Sequence, residues 1–332
     1  MRRGADYREA LRAGRKVWVM GEGAIEDVAV HPATRAMVEE YVAWYDRHFD
    51  AEWQDVILTP PDPSGHRAPW AFVAPRSTDD LRGMGRFYSA TSFLSAGNIT
   101  HTPAYGNLIA LGVLDAVQQR GVSKEQVANA RAYRDLIART GRFLTFSGGA
   151  ATIGARLRED PGERLALRLV RETDGGVIVS GKIGMHTSPA YAEDVYVGSH
   201  SGIDIDGHRA TFVVAVDAPG VTVLCRKISA RHPNPFVAPL SSRYDELDGQ
   251  MWLDDVLIPW DPRVSHRGVA GAGGVLALLA SALLLAREGG VHARARAGVH
   301  RRDGAHAARA DHRLPARPGR RRPDRPELSD CR

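Results

Sequence analysis

The spacing of hydrophobic and polar positions changes part-way along the chain. After His31-Pro32 closes an extended piece, ATRAMVEEYVAWYDRHF (33–49) carries apolar residues at helical spacing. YREALRAGR (7–15) predicts a helix before it, with KVWVMGEG (16–23) and EDVAVHP (26–32) as short extended pieces. PPDPSG (60–65) predicts a loop. STDDLRGMGRFYSATSFLSA (77–96) opens with Ser77 as an N-cap and an acidic first turn. TPAYGNLIALGVLDAVQQRG (102–121) offers Pro103 for the first helical turn and Gly121 for the end. Ser123 and Gln126 have capping-box spacing ahead of a further helix. The first 145 or so residues therefore read as mostly helical.

Beyond them the period falls to two. RLALRLVRET (164–173), Asp174-Gly175-Gly176 and VIVSGKI (177–183) predict a β-hairpin. EDVYVGS, ATFVVAVDA, VTVLCRKI and GQMWLDDVLIP extend the run of strands to residue 260. Helices followed by strands make an α+β order, which argues against an alternating dinucleotide-binding unit. Gly21-Glu22-Gly23 lacks a third glycine and reads as a turn. The expected division is a helical domain over 1–147, an antiparallel β domain over 148–260, and a tail over 261–332.

Composition changes the picture only for the tail. The 332 residues are 43% hydrophobic and 25% charged, with a net charge of +5, which raises a nucleic-acid or membrane partner. Residues 261–332 hold 15 Arg and 7 acidic residues, so the preceding 260 residues are slightly acidic. The tail has no Phe, Tyr, Trp, Met, Ile, Asn, Lys, Gln or Thr, and 43 of its 72 residues are Gly, Ala, Arg or Pro. The missing types include every residue with AT-rich codons, and the enriched ones have GC-rich codons. That bias suits out-of-frame translation beginning near Asp261–Val264 and a disordered tail. Two other readings stand beside it. One is a basic arm for nucleic acid, without aromatics for stacking. The other is a membrane anchor over Gly268–Ala286, with four glycines in its first seven residues and no interfacial Trp or Tyr.

Two cysteines exclude a disulfide scaffold and a Cys-rich cluster. MRRGADYREALRAGRK has no apolar leader stretch, so a cytoplasmic protein is expected. No HExxH, CxxC, P-loop or GxSxG element occurs, and no metal is expected. His101 and Tyr105 are four apart around a helix start, where an imidazole and a phenol can share one face. The same spacing also suits a capping histidine and a core tyrosine. Thr145 and Ser147 precede Gly148-Gly149, where backbone can approach a flat ligand or merely link helix to strand. His186, Thr187 and Ser188 lie where Lys182–Pro189 ends a strand and turns, their imidazole and hydroxyls able to donate to a polar ring edge or to form a plain polar loop.

YREALRAGRKVWVMGEGAIEDVAVHP (7–32), APRSTDDL (74–81), TPAYGN (102–107), ERLALRLVRETDGGVIVSGKIGMHTSPAYAED (163–194) and APLSSRYDELDGQMWLDDVLIPWD (238–261) together carry a resemblance. The chain resembles the oxygenase component of two-component, reduced-flavin-dependent monooxygenases, the 4-hydroxyphenylacetate 3-monooxygenase family. The resemblance implies an acyl-CoA dehydrogenase-like fold, whose C-terminal helical bundle residues 261–332 do not supply. It implies FAD delivered by a separate flavin reductase, dioxygen, and oxygen transfer from a flavin C4a-hydroperoxide to a small aromatic substrate. It implies a homo-oligomer for an intact family member, while the confinement of the basic charge to the tail argues against a nucleic-acid or membrane partner. By the same resemblance Tyr105 keeps the family's phenol-binding tyrosine and His101 stands where the family has arginine. Phe146 stands where the family has histidine. Thr145, Ser147, Thr187 and Ser188 are the expected cofactor-side residues. The family's flavin-side Pro-Gln-x-Asp-Arg segment is not matched in GGAATIGAR (148–156). An inactive truncated relative and a basic-tailed binding protein remain alternatives.

Overall fold

The computed structural model describes residues 1–12, 14–92, 102–119, 123–147, 167–198, 203–205, 208–229, 234–260 and 276–277. All of these fall in a compact unit spanning Met1–Leu285. The helices are α1 (Gly4–Leu11), α2 (Arg35–Asp46), α3 (Gln54–Ile57), α4 (Thr78–Thr91), α5 (Tyr105–Gln119) and α6 (Lys124–Thr140). Ser77 and Asp80 close a reciprocal capping box on α4, and Ser123 and Gln126 close one on α6. Gly141 ends α6 at φ 65°, a left-handed cap that glycine adopts without steric cost. Pro103 lies in the turn before α5 rather than in its first turn.

The strands are β1 (Val17–Val19), β2 (Gly23–Ile25), β3 (Leu144–Ser147), β4 (Arg168–Thr173), β5 (Gly176–His186), β6 (Asp194–Val197), β7 (Ile203–Ile205), β8 (His208–Ala215), β9 (Val221–Cys225), β10 (Gly249–Pro259) and β11 (Leu276–Ala277). They form one sheet, ordered β11-β8-β6-β3-β5-β10-β9-β1-β2, with β4 beside β5 and β7 beside β8. The predicted hairpin is β4–β5, turning at Asp174-Gly175 with Thr173 opposite Gly176. Gly176 is required by its neighbour, since a Cβ there would lie 2.2 Å from the Ile258 carbonyl oxygen.

The sheet departs from the sequence pattern in two ways. It recruits β1, β2 and β3 from the mostly helical portion, and β1–β9 and β3–β6 pair in parallel. EDVAVHP is a turn rather than a strand, because the Asp27 carboxylate accepts from the Ala29 N–H and its carbonyl accepts from Val30 and His31. Most of the tail lies outside the described residues. Its Leu276–Ala277 pairs antiparallel with β8.

Between helices and sheet the core is aromatic. Tyr7, Tyr41, Trp44, Tyr45, Phe143 and Tyr191 are buried and meet edge-to-face or tilted. Three of their hydroxyls find backbone acceptors: Tyr7 donates to the Tyr191 carbonyl, Tyr191 to that of Asp245, and Tyr45 to that of Gly141.

Candidate functional site

Strand β3 is the element around which the candidate residues gather. Helix α5 packs directly on it at Gly106, where a Cβ would lie 2.8 Å from the Leu144 Cβ. That close approach sets Tyr105, the first residue of α5, against Phe146, with ring centroids 5.6 Å apart and planes at 51°. Both rings are half-buried, whereas Leu144, Thr145 and Ser147 are buried. Tyr88 on α4 steadies the entry to α5 by donating to the Ala104 carbonyl at 3.3 Å. Burial and the neighbouring Tyr105 raise the Tyr88 pKa above the usual phenol range.

Strand alternation turns Thr145 and Ser147 away from the face that carries Phe146. The Thr145 hydroxyl donates to the Thr187 carbonyl at 2.7 Å, and the Ser147 hydroxyl donates to the Gly184 carbonyl at 3.1 Å. Ser188 has φ 60° and is buried, its hydroxyl 2.9 Å from that of Tyr41. Thr187 differs from these three. It is half-buried, and its hydroxyl makes no hydrogen bond to a described residue. The fold thus joins Thr145, Thr187 and Ser188 in one corner, with Tyr105 and Phe146 across β3. His101 lies outside the described residues, as does GGAATIGAR (148–156).

An ion-pair network anchors the segment beyond this corner. Arg2 and Arg142 both bind the Glu193 carboxylate, and Arg142 also forks onto Asp194. The Phe143 N–H donates to Glu193, and the Tyr133 hydroxyl donates to Asp194 at 2.9 Å. Arg15 donates to the Ala190 and Ala192 carbonyls at 3.0 and 2.9 Å. Burial alone would raise the Glu193 pKa, but Arg2 and Arg142 outweigh it and hold the carboxyl at about 2. His186 sits just before the corner, opposite Ser147 and Gly249, and burial lowers its pKa to about 4. Sequence patterns did not single out Arg2, Arg142 or Glu193, since an isolated charged side chain carries no local signal of a distant partner, and the His186 imidazole, read as able to donate to a ring edge, is buried instead.

Residues 3–264 match the family model of the 4-hydroxyphenylacetate 3-hydroxylase N-terminal region. The chain belongs to the 4-hydroxyphenylacetate 3-hydroxylase family. It is 32% identical over 281 residues to the 4-nitrophenol 4-monooxygenase/4-nitrocatechol 2-monooxygenase oxygenase component of Rhodococcus opacus, covering 81% of this chain and 52% of that protein. It is 28% identical over 264 residues to the 4-hydroxyphenylacetate 3-monooxygenase oxygenase component of Thermus thermophilus, covering 78% and 54%. The chain thus spans about half the length of these curated relatives. A crystal structure of a 4-hydroxyphenylacetate 3-monooxygenase oxygenase component complexed with FAD superposes with TM-score 0.70 at 24% identity, over 85% of this chain and 56% of that one. This member of the hydroxylase family thus has the acyl-CoA dehydrogenase-like fold, in helical and sheet portions. Among its described residues no helix is long and apolar enough to cross a membrane.

Proposed function

We propose that this chain carries the substrate-side half of a reduced-FAD-dependent monooxygenase acting on a phenolic or related aromatic ring. The observation that carries this reading is the Tyr105–Phe146 pair at the α5–β3 contact. A phenol lying against such a pair is held by one hydroxyl and one apolar ring. Tyr105 hydrogen-bonds the substrate oxygen, and Phe146 packs against its ring and keeps water away. His101, where the family has arginine, adds a cation only when protonated, so recognition leans on apolar contact more than on fixed charge.

FAD fits the Thr187 corner in one respect, because half-buried Thr187 carries a hydroxyl able to bond a ligand and a carbonyl held by Thr145. Thr187 would meet the flavin, while Thr145, Ser147 and Ser188 shape the backbone around it. Reduced FAD, supplied by a separate flavin reductase, brings the oxygen-activating chemistry. The relatives' names support the class of reaction. A homo-oligomer is part of the proposal.

The test is oxygen-dependent hydroxylation of a panel of phenols by the full chain, with FAD and a flavin reductase. A hydroxylated product is expected. If the chain neither binds reduced FAD nor protects it from rapid autoxidation, the reading fails.

A further inference from the structure

We propose that a small apolar cavity behind the Tyr105–Phe146 pair binds dioxygen. The cavity lies between α5, α6 and the sheet, lined by Ile109, Ala110, Val113, Ala130, Leu144 and Val213. The rings of Tyr133 and Tyr196 complete it, with their polar ends engaged elsewhere. The Tyr133 hydroxyl donates to Asp194, and the Tyr196 hydroxyl bonds Thr211.

Size and lining decide the occupant. The cavity volume for a water-sized sphere is about 20 Å3. A single water needs roughly 10–15 Å3 by the same measure, so one very small molecule fits and a phenol does not. Water also needs two to four polar partners, and the described lining is almost wholly apolar, so a water is poorly held there. A small molecule without hydrogen-bonding groups loses nothing on entering such a space. Dioxygen is such a molecule.

The position adds a use. Ile109 is one helical turn beyond Tyr105, and Tyr196 is the register partner of Phe146 in the β3–β6 ladder. The cavity therefore adjoins the rings proposed to hold the aromatic substrate. Its role as an oxygen reservoir rests on the monooxygenase reading, whereas its occupancy does not.

The probe is dioxygen itself, which is paramagnetic. Methyl NMR spectra of the full chain are compared under oxygen and nitrogen pressure. The methyls of Ile109, Val113, Leu144 and Val213 should broaden far more than those of Val38 and Ile57, which are buried away from the cavity. Ala110→Leu, which fills the space, should abolish the difference, and Val113→Phe serves if that variant does not fold. Equal broadening at cavity and control methyls would overturn the site, as would full broadening in a folded filled variant. In the coupled assay the filled variant should show a severalfold higher apparent KM for dioxygen, with the KM for the phenol unchanged. An unchanged oxygen KM would overturn the reservoir role. Absence of hydroxylation by the unsubstituted chain would instead count against the monooxygenase reading, with the NMR result still deciding the cavity.

Discussion

Gly106 brings α5 so close to β3 that any Cβ at this position would meet Leu144 at 2.8 Å. The contact partner is a buried strand residue, which has little room to withdraw. Gly106→Ala should therefore destabilise the chain by about 1–3 kcal/mol through overpacking. Urea denaturation measures this, and unchanged stability would show that α5 is not held by this contact.

Tyr105 and Phe146 have separable roles. Tyr105→Phe keeps the ring contact and removes the hydroxyl. Its kcat/KM for the phenol should fall by roughly tenfold to a hundredfold, the effect of losing one hydrogen bond to a charged or reacting oxygen. Phe146→Ala should act chiefly on KM by removing apolar contact. Unaltered kinetics in both variants would remove this pair from the site.

Thr187 and Thr145 are expected to differ in kind. Thr187→Val removes a hydroxyl with no described partner, so stability should hold while the affinity for FAD falls, as read by flavin fluorescence. Thr145→Val leaves the Thr187 carbonyl without its donor and should cost about 1–3 kcal/mol of stability. A Thr187→Val variant that binds FAD as tightly as the parent would show that the flavin does not meet this hydroxyl.

Two buried histidines make stability depend on pH. Burial lowers His48 and His186 from 6.5 to about 4. The folded chain keeps both neutral down to about pH 4, while the unfolded chain takes up protons below pH 6.5. Stability is therefore greatest above pH 6.5 and falls as the pH drops toward 4, by up to roughly 3 kcal/mol for each histidine. Denaturation at pH 7, 5.5 and 4.5 gives the slope, and a flat profile would contradict the burial of these rings.

Glu193 acts in a lower window. Its carboxyl is lowered from 4.5 to about 2 in the folded chain, so its contribution is complete above pH 4.5 and is lost as the pH falls through about 2. Glu193→Gln removes the charge that faces Arg2 and Arg142 and should cost about 3–5 kcal/mol. A loss below about 1 kcal/mol would mean that the two guanidinium groups are solvated in the native state.

Much of the local structure was legible in the residues. Ser77 with Asp80 and Ser123 with Gln126 cap helices through partners three positions away, and Asp174-Gly175 turns a hairpin between adjacent strands. Asp27 shows where local reading failed, since its turn hydrogen bonds override the extended pattern of EDVAVHP. The Tyr105 candidate also came from sequence, by spacing and by resemblance. Its companion Phe146 was visible only as a departure from the family pattern.

Helix caps, the change of period near residue 145, the hairpin and the family were all readable along the chain, because each depends on neighbours or on a linear motif. Three-dimensional packing was needed to lay β1 parallel to β9 and β3 parallel to β6, and to bring Arg2 to Glu193 across 191 positions. Packing also committed the Thr145 and Ser147 hydroxyls to backbone carbonyls and that of Ser188 to Tyr41, and left the Thr187 hydroxyl without a described partner. Such pairings arise from how whole elements bury their apolar faces against one another, and no local pattern records which distant partner a buried polar group will meet.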